Sequence, residues 1–85
     1  MKQSQCLDQL SPGQRAVVTE LCNEDTMRRR LRELGMIEGT PVECVGQSPL
    51  GDPSAYLIRG AVIALRREDS RKITVLPLEE EGALP

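Results

Sequence analysis

No histidine, tryptophan or phenylalanine occurs in this chain, and Tyr56 is its only aromatic residue. The missing histidine removes the commonest general base and metal ligand. The missing rings rule out an aromatic platform on which unpaired bases could stack. The core must be built from Val, Ile, Leu and Met. A basic excess is missing too: 11 Lys and Arg stand against 13 Asp and Glu, a formal net charge of −2. That balance argues against general nucleic-acid binding, although it allows a local basic patch.

The cysteines Cys6, Cys22 and Cys44 form no C-x-x-C pair. Zinc-ribbon and thioredoxin-like readings fail, and free, buried thiols in a reducing compartment are expected. The longest apolar run, 61–65, is far short of the roughly 20 residues that cross a bilayer. The opening residues lack the apolar stretch of a signal peptide. The expected location is therefore the cytoplasm, without direct membrane insertion. No G-x-x-x-x-G-K-[ST] run occurs, so the chain itself is not expected to bind GTP.

What is present fits one domain of 85 residues. A chain this short buries only about 60–65% of its unfolded surface, which leaves little room for a deep active-site cavity. Ser11-Pro12-Gly13-Gln14 reads as a type II turn, and the Val- and Thr-rich stretch 15–21 as a strand. Asn23 to Asp25 supply helix-capping side chains. Met27, Leu31 and Leu34 then fall at i, i+4 and i+7, one apolar stripe on a helix of about three turns. Gly35 is placed to end that helix, with Met36 folding back on Leu31. Further strands are expected at 40–46, 55–58, 62–65 and 73–76, with a bend or bulge at Gly60 and a helical turn at 67–71. The expected core includes Val18, Leu31, Leu34, Val42, Tyr56, Ile63, Leu65 and Val75. Cys44 alternates with Glu43 and should face inward.

Five short strands closed by Gly and Pro turns predict a mainly β fold, a small barrel with one inserted α-helix and a short helical turn. Closure would remove exposed strand edges. Pattern alone does not separate an SH3-like barrel from an OB-fold. The domain is expected to occupy 1–76, and 77–85, with Glu79-Glu80-Glu81, to form an acidic, flexible tail.

No catalytic residue, cofactor or metal site is expected. Glu68 and Asp69 are adjacent acids that point in different directions on a helical turn, so they read as solvated surface or caps. The thiols are scattered and no ligand cluster is visible. The arginines are the conspicuous feature. Positive charge at Arg28, Arg29 and Arg30, early in the helix, opposes its macrodipole at a cost of a few tenths of a kcal/mol each. Arg28, Arg29 and Arg32 lie off the apolar stripe, where a solvated face and a binding face both fit. Leu50, at the tip of a loop rich in Pro and Gly, is the second candidate for partner contact.

The run Arg29-Arg30-Leu31-Arg32-Glu33-Leu34-Gly35-Met36-Ile37-Glu38-Gly39-Thr40-Pro41-Val42 resembles the signature of the FeoA family. So do Leu50-Gly51-Asp52-Pro53, Ile58-Arg59-Gly60 and Ile63-Ala64-Leu65-Arg66-Arg67-Glu68-Asp69, with Leu10-Ser11-Pro12-Gly13-Gln14 in the place of the leading turn. The likeness runs from about Leu7 to Val75. It implies an SH3-like β-barrel decorated with a helix, and a role in ferrous iron uptake and iron homeostasis, with transition-metal binding at the level of the family. The implied partner is FeoB, a large membrane GTPase and iron transporter, met on its cytoplasmic side. The alternative is a stand-alone regulatory or nucleic-acid-binding domain that uses the arginine-rich helix. The oligomeric state stays open, weak self-association included.

Overall fold

Short runs of β-branched and aliphatic residues between turns make this a strand protein. A computed structural model describes residues 3–78. In chain order these are β1 (Gln5–Cys6), a 3₁₀ turn (Leu7–Gln9), β2 (Arg15–Leu21), α1 (Asp25–Glu33) and β3 (Pro41–Gln47). Then come β4 (Ser54–Ile58), β5 (Ala61–Leu65), α2 (Arg67–Ser70) and β6 (Ile73–Pro77). All six strands join one antiparallel sheet in the order β1-β6-β2-β3-β4-β5. The expected count of five strands thus becomes six. β1 has only two residues and shows no periodicity, and it forms by pairing Gln5 with Val75 and Cys6 with Thr74.

Alternation places Ala16 and Val18 of β2, Val42 and Cys44 of β3, Tyr56 and Ile58 of β4, and Ile73 and Val75 of β6 in one core. Register shifts between Val18 and Glu20, and between Cys44 and Gly46, interrupt the alternation. The first carries Leu21 back to the inner face, where it is buried, and the second leaves Val45 exposed. Tyr56, the largest of the fully buried side chains, donates its hydroxyl to the Leu7 carbonyl at 3.5 Å. Burial pushes its phenol up from its ordinary pKa. Each large aliphatic residue in this core contributes about 1.5–3 kcal/mol by leaving water.

Six of the eight expected core residues are buried, and Ile63 is half-buried against the core. Leu34 is the correction: it is 45% exposed. The helix ends one residue earlier, and Met36, fully buried, occupies the interior in its place. The cause is the expected glycine cap. Gly35 takes φ +103°, its N–H donates to the Arg32 carbonyl at 3.0 Å, and Met36 N–H donates to the Leu31 carbonyl at 2.9 Å. This paired cap folds the chain back under the helix and turns Leu34 outward.

Four further expectations change. Asn23 does not cap α1, whose N-cap is Glu24 without a side-chain hydrogen bond. Gly60 is neither bend nor bulge: with Arg59 it forms a two-residue hairpin turn, both at positive φ (50° and 84°). The thiols are not all buried, because Cys44 is interior while Cys6 is half-buried and Cys22 exposed. Nor does the sheet close on itself. Among the described residues, β1 and β5 remain its two ends. β6 runs through Pro77, which pairs with Ala16, and Leu78 N–H donates to the Arg15 carbonyl at 2.9 Å. Glu79-Glu80-Glu81 lies outside the described residues.

Candidate partner interface

α1 carries the arginines, and its sequence explains how they are held. Asp25 sits in the first turn, where a carboxylate suits the positive end of the helix, and Arg30 and Arg32 sit in the last turn, where cations are favoured. The helix is nine residues long, so the expected macrodipole penalty falls mainly on Arg28. That residue is engaged: its guanidinium pairs with Asp25 and donates to the Asn23 carbonyl at 3.4 Å. Arg32 pairs with Glu38 at 3.2 Å. Glu38 is held below the usual carboxylate pKa first by its own backbone N–H, against desolvation, and then by the hydrogen bond and charge of Arg32. Arg29 is exposed and has no ion pair among the described residues.

Arg28, Arg29 and Arg32 come together with Asp25 and Glu33 around one surface depression of about 480 Å³. The patch is therefore of mixed sign, three cations with two acids. Leu50 does not line it. That leucine is 93% exposed at the tip of the loop between β3 and β4. The loop is tied down on both sides: Gly51 N–H donates to the Ser48 carbonyl at 2.8 Å, and Arg67 Nη2 donates to the Gly51 carbonyl at 3.4 Å. Asp52 Oδ1 accepts from Arg67 N–H at 2.9 Å, at the start of α2. Leu50 is thus an apolar side chain held in water by a clamped loop.

Two exposed apolar residues escaped the sequence reading. Leu34 and Ile37, 45% and 40% exposed, flank the cap of α1 close in sequence to the Arg32–Glu38 pair. Gly35 was the available signal, since a helix that stops there cannot carry Leu34 inward. Apolar residues beside paired arginines have the composition of a protein interface, an apolar centre with a polar rim. Among the described residues, no three of His, Cys, Asp or Glu converge as metal ligands, and no helix is long and apolar enough to cross a membrane.

A six-stranded antiparallel sheet over one apolar core, with a nine-residue helix inserted after its second strand, defines a small SH3-like β-domain. The sequence pattern of the FeoA domain matches residues 5–77. The chain belongs to the FeoA domain family. A relative from Porphyromonas gingivalis, the Fe(2+) transport protein A/Fe(2+) transporter FeoB fusion protein, is 36% identical over 69 residues. That match takes in 81% of this chain but only 8% of the fusion protein. The solution structure of FeoA from Chlorobium tepidum superposes with a TM-score of 0.84 at 36% identity, over 87% of this chain and 70% of that one. The crystal structure of Stenotrophomonas maltophilia FeoA, complexed with zinc and described as a procaryotic SH3 domain protein, gives 0.70 at 32% identity, over 82% and 87%.

Proposed function

We propose that this chain is a non-catalytic, cytoplasmic adaptor or regulator of ferrous iron uptake that acts on a FeoB-type membrane GTPase. The observation that carries this reading is the P. gingivalis fusion, in which a related unit and the transporter share one polypeptide. A covalent link of that kind replaces a binding step with a high effective concentration, which is useful only when the two parts work in contact. The surface supports the same reading. Leu34, Ile37 and Leu50 are apolar and exposed, and α1 presents Arg28, Arg29 and Arg32. The protein acts by touching the transporter, with no resident iron of its own.

The nucleic-acid alternative gains no support from the patch, since Arg28 and Arg32 are each paired with an acid. The deciding experiment immobilises the cytoplasmic part of a FeoB-type transporter and measures binding of the full chain. Saturable binding with a change in GTP hydrolysis or iron uptake supports the proposal. Absence of binding at concentrations up to about 1 mM, where affinity falls to about 4 kcal/mol, defeats it.

A further inference from the structure

Arg59 stands where the backbone favours a different residue. It is the first central residue of the β4–β5 hairpin turn, at φ 50°. Two-residue turns with positive φ at both centres prefer Asn-Gly or Asp-Gly, and an arginine in that place carries backbone strain. Strain of this kind gathers at functional sites, where the surroundings hold it in place.

What holds Arg59 is the cap of α1. A Cβ on Gly35 would lie 2.8 Å from Arg59 Cδ and 3.4 Å from its Cγ, so the arginine stem crosses the cap through the notch that a missing side chain leaves. Gly35 is next to Leu34 in the chain, and its carbonyl accepts from Ile37 N–H at 2.9 Å. Both of those aliphatic residues are exposed. The stem of Arg59 is thus fixed beside the apolar pair at the end of the helix.

The charged end of Arg59 is not used within the fold. Among the described residues its guanidinium takes part in no ion pair, whereas Arg28 and Arg32 are each paired with an acid. It lines a depression of about 210 Å³ together with Arg15, Pro41, Glu43 and Leu57. Glu43, the acid of that lining, stands directly opposite Arg15 in the β2–β3 ladder, a cross-strand neighbour of opposite sign. One net positive charge remains there, on a side chain whose stem is already ordered. Such a side chain loses little freedom on binding, and the guanidinium fork matches a carboxylate with two parallel hydrogen bonds. Arginine is also enriched among the residues that dominate interfaces.

We propose that Arg59 anchors the partner interface: its guanidinium takes a carboxylate of the partner, and Leu34 and Ile37 receive an aliphatic side chain beside it. This inference rests on the reading of the chain as an adaptor for a FeoB-type GTPase. It puts the centre of contact at the helix cap and the α1 arginines at the rim.

The test measures binding of the full chain and its variants to the immobilised cytoplasmic part of a FeoB-type transporter, with urea unfolding of each variant alongside. Arg59→Met keeps the stem and removes the charge. It should unfold at the wild-type midpoint and bind at least roughly tenfold more weakly at low salt. The gap should narrow as salt screens the pair. Should that variant fail to fold, Arg59→Asn, a residue the turn prefers, takes its place with the same loss expected. Leu34→Ala/Ile37→Ala should also weaken binding, with little dependence on salt. A wild-type chain that does not bind defeats the adaptor reading itself. Binding that is as tight in the Arg59 variant as in wild type defeats this inference alone. A loss in Arg59→Met that is the same at low and high salt assigns the effect to something other than charge and overturns the carboxylate contact.

Discussion

The side-chain amide of Asn23 donates a hydrogen bond at 3.0 Å to the backbone carbonyl of Asp69, 46 residues further along the chain. Asn23 is buried at 3% exposure, just before α1, and Asp69 lies in α2. One buried amide thus joins the two helical elements. Asn23→Ala leaves the Asp69 carbonyl without that donor and should cost about 1–3 kcal/mol. Asn23→Asp should cost more, because a carboxylate oxygen would then face a carbonyl oxygen. Urea unfolding midpoints of the two variants check the order. An alanine variant as stable as wild type would show the bond to be without consequence.

Leu31 and Leu34 share a sequence stripe but have opposite environments, 0% and 45% exposed. Leu31→Ala is expected to destabilise by about 2–5 kcal/mol. Leu34→Ala should stay within about 1 kcal/mol of wild type. Thermal or urea unfolding of both proteins decides it, and a reversed order would place Leu34 in the core.

Much of the fold was legible because its signals are local. The Ser11–Gln14 turn closes with Gln14 N–H on the Ser11 carbonyl at 2.9 Å, and the Gly35 cap with Met36 tucked under Leu31 forms as the sequence indicates. What was not legible depends on distant partners or on unusual residues. Asn23 has good local reasons to cap a helix, and only tertiary structure offers it Asp69 instead. β1 is two residues that become a strand by meeting β6. The hairpin turn was hidden because Arg59, a residue that rarely takes positive φ, occupies its first central position. In the candidate interface, the arginines and Leu50 were visible by type and position. Their separation, and the exposure of Leu34 and Ile37, depended on where the chain leaves α1.

Stability should fall in alkali in two stages. Burial raises the pKa of the Cys44 thiol and of the Tyr56 phenol. Both groups hold their protons more tightly folded than unfolded, so the unfolded chain ionises first. The stability they lend is complete below the unfolded values, about 8.5 for Cys and 10 for Tyr, and is lost as pH rises through the folded ones. Unfolding free energy measured from pH 7 to 11 should decline from about pH 8.5. Cys44→Ala should remove the first stage of the decline. A flat profile to pH 10 in wild type would contradict this account.

At the α1 surface, Arg28→Glu/Arg29→Glu should slow association with a FeoB-type partner, and the difference from wild type should shrink as salt rises. Leu50→Ala should instead speed dissociation with little salt dependence. Its loss of affinity should be about 1–3 kcal/mol where the partner covers the side chain. Stopped-flow or surface-binding kinetics separate the two, after unfolding curves show each variant to be folded. Wild-type affinity in both variants would move the docking surface elsewhere. An arginine variant that loses affinity for DNA or RNA, with a steep salt slope, would favour the nucleic-acid alternative.

Tyr56 has a practical consequence at the bench. As the chain's only aromatic residue, it is the sole side-chain chromophore of the near ultraviolet, and it sits fully inside the core against the Leu7 carbonyl. Absorbance at 280 nm is therefore that of a single phenol, too faint for routine quantitation. In exchange, every near-ultraviolet ellipticity or emission change reports from one known interior point, with no engineered label and no second ring to confuse it.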